Sequence, residues 1–347
     1  MRAITLRPGI ANSASLETVP EPASSDGAIL ARTLYLGVCG TDREIVAGLY
    51  GEAPPGAPHL ILGHESLGVV EEAPPDSGFA LGDHIVGIVR RPDPVPCAAC
   101  AAGEWDMCRN GLYTERGIKQ RHGFGAERFR VEPEFAVKVE TSLGMLAVLM
   151  EPTSIVAKAW DHADMIGQRS TSWQPHSVLV TGAGPVGLLA ALMAMQRGLD
   201  VHVLDRNKDG PKPQLIKALG ARHVSELSAN LKPDIIMECT GAAAIVGEVL
   251  ARTAPSGMVC LLSVTAPGHK IEVDIGALNR TMVLDNDVIF GAVNANRKHY
   301  RMAAEALRQA DEDWLSRLIT RKVPLDRWAE ALEYRRGDIK VVVDFSA

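Results

Sequence analysis

The rhythm of hydrophobic and polar positions changes once along the chain, near residue 176. Before it, up to about residue 150, short apolar runs such as AILARTLYLGVCG, SLGVVEEA, HIVGIV and FAVKV are separated by Gly- and Pro-rich turn signals. That pattern predicts β structure joined by long loops. After it, HSVLVTG reads as a buried strand, PVGLLAALMAMQRG as a helix stopped by Gly198, and DVHVLD as the next strand. Strand, helix and strand joined by tight turns make a parallel βαβ unit. The alternation continues through DIIMECTG, the helix-like AAAIVGEVLART, MVCLLS and DVIFGAV, enough for a six-stranded doubly wound parallel sheet ending near residue 293. The helical KHYRMAAEALRQA and the strand-like IKVVVDF then break the alternation and are expected to rejoin the first lobe.

Length agrees with two lobes, because 347 residues exceed what one hydrophobic core usually organises. The expected division is 1–155 with 294–347 for the β-rich lobe and 156–293 for the doubly wound one. Hydrophobic residues make up 46% and charged residues 22%, with a net charge of −6. Such a balance gives no reason to expect nucleic acid or an anionic membrane as partner. The N-terminal MRAITLRPGI lacks the charged-then-apolar pattern of a signal peptide, and no apolar run approaches the roughly 20 residues of a membrane span. A cytoplasmic protein acting on a small molecule is expected. In that reducing compartment six cysteines are better metal ligands than disulfide partners.

The turn of the βαβ unit is TGAGPVG, which spaces Gly182, Gly184 and Gly187 as G-x-G-x-x-G between a strand and a helix. In that context the glycines serve a dinucleotide: a tight turn, a close backbone approach to pyrophosphate, and close helix–strand packing. Pro185 and Val186 open the helix whose N-terminus faces the anion. Asp205 ends the second strand, where a carboxylate can accept from the adenosine ribose; strand punctuation is its plainer reading.

Three of the six cysteines, Cys97, Cys100 and Cys108, fall in VPCAACAAGEWDMC, one thiol short of a tetrahedral metal. A second constellation has Cys39 and Thr41 in GVCGTD, His64 and Glu65 in LGHESLGVV, and later Glu151 in LMEPTSIVAKAW. Thiolate, imidazole and carboxylate are zinc ligand types, and catalytic zinc uses three of them while leaving a position open. Singly, Cys39 reads as a small core residue and the His–Glu pair as hydrogen-bonded neighbours. Their combination ahead of a nucleotide fold points to a metal. His84, His122 and His299 have no spacing that singles them out.

In this order and approximate spacing, CGTD, GHESLGVV, GDHIVG, the cysteine lobe, EP and GAGPVG resemble the zinc-dependent medium-chain dehydrogenases over essentially the whole chain. CRNGLYTERGIKQRHGFGAERF resembles their glucose dehydrogenase branch. The resemblance implies a GroES-like catalytic domain with a zinc lobe near 93–108, followed by a Rossmann domain. It implies catalytic zinc on Cys39, His64 and Glu151, with Glu65 able to approach or coordinate it, and structural zinc on Cys97, Cys100 and Cys108. The family's first lobe cysteine falls on Pro94, which has no ligand atom, so its neighbour Asp93 is the candidate fourth ligand. Glu115 in YTERG and Asn294 in GAVNAN match positions that bind sugar hydroxyls or sit against the nicotinamide, although a solvated surface charge is the plainer reading of Glu115. A homo-oligomer, dimer or tetramer, is implied as well.

The chemistry expected of these parts is the oxidation of an aldose, D-glucose to gluconolactone foremost. Zinc would act as a Lewis acid on a substrate hydroxyl, Thr41 would relay the proton, and NAD or NADP would accept hydride. A polyol, alcohol or threonine-type dehydrogenase, a non-zinc quinone or enone reductase, and a non-catalytic nucleotide-binding protein are the alternatives. Asp205 favours NAD and opposes a 2′-phosphate, whereas Arg206 and Lys208 in LDRNKDG favour that phosphate. The carboxylate is the nearer group and flexible cations are screened by solvent, so dual use with NAD preferred is expected.

Overall fold

The computed structural model describes residues 1–265 and 268–346. The chain divides into unit 1, comprising Met1–Glu151, Asn294–Ala304 and Ile319–Ala347, and unit 2, comprising Pro152–Val293 and Glu305–Leu318. The expectation that all of 294–347 belongs to the first lobe is thus corrected at 305–318. That stretch carries its own anchors to unit 2: Gln196 Nε2 donates to the Ala306 carbonyl at 2.8 Å, and Trp314 Nε1 to the Leu215 carbonyl at 3.0 Å. The boundary between lobes also falls at 151/152 rather than 155/156.

Unit 1 is built on a sheet ordered Ala136–Val139, His84–Gly87, Glu65–Glu72, Ile29–Val38, Lys340–Asp344, Ile319–Pro324, with Arg128–Val131 paired to the start of the long strand. Along Ile29–Val38 the side chains of Ile29, Ala31 and Thr33 are buried in alternation, as a pleated strand with one face on a core requires. The register sets Gly37 opposite Glu65 and Val38 opposite Val341. Cys39 leaving the long strand, His64 and Glu65 entering its neighbour, and Lys340 opening the C-terminal strand therefore meet at one end of the sheet. Gly37 is a glycine for a steric reason: a Cβ there would run into the Glu65 carboxylate.

The approach to His64 is clamped by residues 122–125. Gly123, Phe124 and Gly125 donate backbone N–H groups to the carbonyls of Ile61, Gly63 and Leu62 at 2.8–2.9 Å, and a Cβ at Gly123 would collide with the carbonyls of Gly63 and Leu62. His122 completes the clamp by accepting from the Ile61 N–H through Nδ1 at 3.1 Å.

Unit 2 holds a six-stranded parallel sheet in the order Arg222–Val224, Asp200–Leu204, Ser177–Thr181, Ile235–Glu238, Met258–Leu261, Val288–Gly291. The strand Arg222–Val224 has no apolar run to announce it, since it is a three-residue edge strand with no buried residue. The helix Pro185–Gln196 buries every residue from Gly187 to Ala194, which is why its sequence is apolar all round. One helical run, Thr141–Gly167, is long and apolar enough to cross a membrane by length and composition, which the sequence reading did not register. Of its apolar 18-residue window 72% is buried inside the protein, so that surface is already committed.

The clamp at His122 generates a pH prediction. Burial first, and then the positive charges of His59 and Arg116, push His122 down to about 4, which agrees with an unprotonated Nδ1 that accepts a backbone N–H. Because the folded value lies below the unfolded value of about 6.5, the unfolded chain binds the extra proton, and stability is lost as pH falls from about 6.5 towards 4. Thermal unfolding of wild type and His122→Asn should give midpoints that diverge most at pH 7 and converge near pH 4. Parallel curves across that range would reject the assignment.

Candidate functional site

At the sheet end in unit 1, Cys39 caps the helix Gly40–Val46 from an extended backbone. Its Sγ accepts from the Thr41 N–H at 3.2 Å and lies 3.0 Å from His64 Nε2. Thr41 sits in the first turn of that helix. The other ring nitrogen of His64, Nδ1, faces Asp42 Oδ1 at 3.3 Å, while Asp42 Oδ2 accepts from the Cys39 N–H at 2.9 Å. A carboxylate behind an imidazole fixes which nitrogen is presented forwards, and Asp42 was missed because its role depends on that helical turn. Ligand atoms of Cys39, His64 and Glu65 all lie within 4.8 Å of one another.

Glu65 is not free to serve a metal alone. Lys340, only 1% exposed, donates from Nζ to Glu65 Oε1 at 2.6 Å and Oε2 at 2.5 Å, and also reaches the Val38 carbonyl at 3.3 Å. Glu151 opens the helix Met150–Gly167 and is buried beside this group. Burial pushes its carboxyl up to about 7, with His64 and Lys340 opposing and Glu65 and Asp42 reinforcing the shift. The end of the sheet thus gathers Cys39, Asp42, Glu65 and Glu151 against Lys340 and His64. A donor set of thiol, imidazole and surplus carboxylate fits a divalent cation.

The cysteine lobe is a second cluster. Sγ atoms of Cys97, Cys100 and Cys108 lie within 4.8 Å of one another. Cys97 caps the short helix Ala98–Ala101, and its Sγ accepts from the Arg109 N–H at 3.4 Å. Backbone donors, that of Arg109 foremost, pull the Cys97 thiol down to about 6, while burial pushes Cys100 up to about 11. Asp93 is outside the three-thiol set. Its Oδ1 accepts from the Val95 N–H at 2.8 Å, whereas its buried Oδ2 has no hydrogen-bond partner. That orphaned oxygen fits a missing fourth ligand.

Glu115 is not a surface charge. It is 4% exposed, and its Oε1 accepts from Arg90 Nε at 3.1 Å, Arg90 Nη2 at 3.0 Å and Asn294 Nδ2 at 2.5 Å. Arg90, absent from the sequence reading, is also buried and stacks with its Cζ 3.7 Å from the Tyr113 ring centroid. Asn294 adopts a left-handed φ of 61°, a conformation Asn tolerates well. Its neighbours are tied down as well: Trp105 Nε1 donates to the Ala295 carbonyl at 3.3 Å and Asn296 Nδ2 to Asp106 at 2.9 Å. His299 accepts from the Asn296 N–H, and no ligand role attaches to it or to His84.

In unit 2, Gly182 has a φ of 84° and Gly184 caps the helix Pro185–Gln196. A Cβ at Gly187 would strike the Gly182 carbonyl, whereas one at Gly184 would meet nothing within 4 Å, which leaves a cradle open for an anion with Pro185 and Val186 at its helical floor. Asp205 is 8% exposed and ties the cradle to the next strand. Its Oδ2 accepts from the Ala183 N–H at 3.0 Å, and its Oδ1 from Asn207 N and Nδ2 at 2.9 and 2.6 Å. Burial works against the charge, but these donors outweigh it and hold the carboxyl low. Arg206 and Lys208 are exposed; the cation nearest Asp205 is Lys212, at 3.7 Å.

Known proteins agree with this arrangement. Residues 25–141 match the model of the alcohol dehydrogenase GroES-like domain and residues 144–345 that of the glucose dehydrogenase C-terminus. The chain is 38% identical over 362 residues to glucose 1-dehydrogenase of Methanocella arvoryzae, covering 100% of both chains, and 38% identical over 353 residues to glucose 1-dehydrogenase 1 of Caldivirga maquilingensis, covering 100% and 99%. The structure of Haloferax mediterranei glucose dehydrogenase in complex with NADP, Zn and gluconolactone superposes with a TM-score of 0.92 at 32% identity, covering 100% of both chains. With both domain models matched in order and such identity over the full length, the chain belongs to the glucose dehydrogenase branch of the zinc-dependent medium-chain dehydrogenases and is an NAD(P)-linked oxidoreductase.

Proposed function

We propose that this enzyme oxidises D-glucose at C1 to gluconolactone, with NAD preferred over NADP. The observation that carries the reading is the convergence of Cys39, His64 and Glu65, with Glu151 buried beside them, at one end of the unit 1 sheet. Bound zinc supplies Lewis acidity to a hydroxyl oxygen and a bound nicotinamide accepts hydride. Cys39, His64 and Glu151 would hold the metal. Asp42 orients His64, and Lys340 neutralises Glu65, so Glu65 supports the site electrostatically and is not required as a ligand. Thr41, half-buried in the turn that carries Cys39, is the hydroxyl that moves the substrate proton outwards.

A sugar suits this chain better than an apolar alcohol. Arg90, Glu115 and Asn294 form a buried polar set, and against an apolar substrate the spare acceptor capacity of Glu115 would be stranded at a cost of about 1–3 kcal/mol. Arg90 and Asn294 fix Glu115 Oε1, and Oε2 is the oxygen offered to sugar hydroxyls. Cys97, Cys100, Cys108 and Asp93 would hold a second, structural zinc whose binding stabilises the fold without entering the chemistry. All six cysteines are free thiols, which suits a reducing cytoplasm.

We also infer a homo-oligomer formed through unit 2. Val288–Gly291 is an edge strand with one neighbour, and beside it in the chain the helix Ile275–Asp285 exposes Ile275, Val283 and Leu284 at 71%, 66% and 61%. An open strand edge with exposed apolar residues is a template for pairing with a second copy.

Four sets of measurements test this reading. Metal analysis should find two zinc ions per chain. His64→Ala or Glu151→Ala should abolish turnover on glucose with little change in NAD(P) binding, and Asp93→Ala should lower lobe zinc and heat stability more than initial rate; full turnover in either ligand variant would sink the metal assignment. For the cofactor, the ratio of kcat/KM for NAD to that for NADP at saturating glucose should exceed one, and Asp205→Ala should shift it towards NADP by about tenfold, the effect of ~1.4 kcal/mol. A wild-type ratio strongly favouring NADP would show that Arg206, Lys208 and Lys212 override the carboxylate. Finally, Val283→Asp with Leu284→Asp should convert the oligomer to monomer in light scattering, and an unchanged mass would place the interface elsewhere.

A further inference from the structure

Glu238 is a fully buried carboxylate with no part in the chemistry above. It is the last residue of Ile235–Glu238 and pairs in register with Thr181, the last of Ser177–Thr181. These two strands flank the point where the sheet order reverses, and in open α/β sheets ligands bind beyond the strand ends at that point. Glu238 Oε1 accepts from Thr181 Oγ1 at 3.1 Å, from the Thr240 N–H at 2.8 Å and from Thr240 Oγ1; Oε2 accepts from the Gly241 N–H at 3.2 Å. Among the described residues no cation is paired with it.

A buried carboxylate without a cation is costly, so four donors are needed to hold it, and what they obtain is geometry. The bonds fold the turn 239–241 back over its own strand. They press the Thr240 methyl towards the glycine turn, where a Cβ on Gly182 would approach it to 2.8 Å. Gly241 completes the turn with a φ of 62°, and its carbonyl accepts from Thr265 Oγ1 at 2.8 Å. The glycine turn is therefore one wall of the crevice and the Thr240–Gly241 turn is the other.

We propose that Glu238 is a positioning residue for the dinucleotide, acting through Thr240 and Gly241 to hold the second wall of the crevice against the Gly182 turn. The proposal rests on the nucleotide reading above and deepens it. Discrimination at the 2′ position is the task of Asp205 on the neighbouring strand, so the contribution of Glu238 is the same for NAD and NADP.

The test is calorimetric titration of the zinc-loaded, full-length protein with NAD and with NADP, alongside the KM for glucose at saturating cofactor. Glu238→Ala should raise both dissociation constants about tenfold and by the same factor, which corresponds to ~1.4 kcal/mol, with the glucose KM and the zinc content unchanged. Glu238→Gln keeps an acceptor for three of the donors but turns an amide N–H towards Gly241, and should fall between. If Glu238→Ala does not fold, Thr240 carries the test: Thr240→Ala should weaken both nucleotides several-fold, Thr240→Ser should restore them, and Thr240→Ala should add little when Glu238 is already Gln, as expected for residues acting as one unit. A lower melting temperature with unchanged nucleotide affinity would reduce Glu238 to a structural residue and overturn the proposal. So would a loss confined to one nucleotide. A wild type that binds neither nucleotide would overturn the nucleotide reading itself, whereas binding by wild type and by all these variants alike would overturn only the proposal.

Discussion

Acidic side chains outnumber cationic ones at one end of the unit 1 sheet, and the site is organised around that imbalance. Asp42, Glu65 and Glu151 with the thiol of Cys39 face Lys340 and His64. Removing one member of a buried ion pair costs about 3–5 kcal/mol, a large share of the 5–15 kcal/mol that holds a domain folded. Lys340 and Glu65 are therefore committed to each other, and burial drives Glu151 towards its protonated form. A divalent ion would relieve the same imbalance. Stability and metal binding are two responses to one excess of charge.

The same principle, a carboxylate buried only where donors converge on it, recurs through the molecule. Glu115 is held by Arg90 and Asn294, Asp205 by the backbone of Ala183 and Asn207, and Glu238 by two threonines and a glycine N–H. Elsewhere Glu132 is shared by Arg91 at 2.8 Å and Arg121 at 3.1 Å, with Arg116 at 3.9 Å; Arg91 and Arg116 also donate to backbone carbonyls and Arg121 to the Thr114 hydroxyl. That arginine group is a structural knot, because most of its donors are consumed by the fold and only Arg116 Nε is left buried without a hydrogen-bond partner. Glu115 and Asp205 differ in keeping acceptor capacity, since a carboxylate has about four acceptor sites and neither has filled them.

Glycines perform the complementary task of admitting backbone where side chains would block it. Gly37 makes room for Glu65, Gly123 and Gly125 admit the strand that leads to His64, and Gly187 admits the carbonyl of Gly182. Gly184 alone in its turn faces open space, so its missing Cβ serves a ligand and not the fold.

The sequence by itself determined the class of fold, the nucleotide turn and the residue types at both candidate metal sites, because these depend on local signals: apolar periodicity, glycine spacing, and Cys, His and Glu within short motifs. It did not disclose the strand Arg222–Val224, which has no buried residue, nor the return of residues 305–318 to unit 2, which depends on anchors such as Trp314 to Leu215. Lys340 lies 275 positions from Glu65, and Asn294 lies 179 from Glu115; no periodicity or spacing connects residues so far apart. Strand register brings the first pair together, and the return of the chain to unit 1 at Asn294 the second. The tertiary structure therefore decided which charges neutralise which.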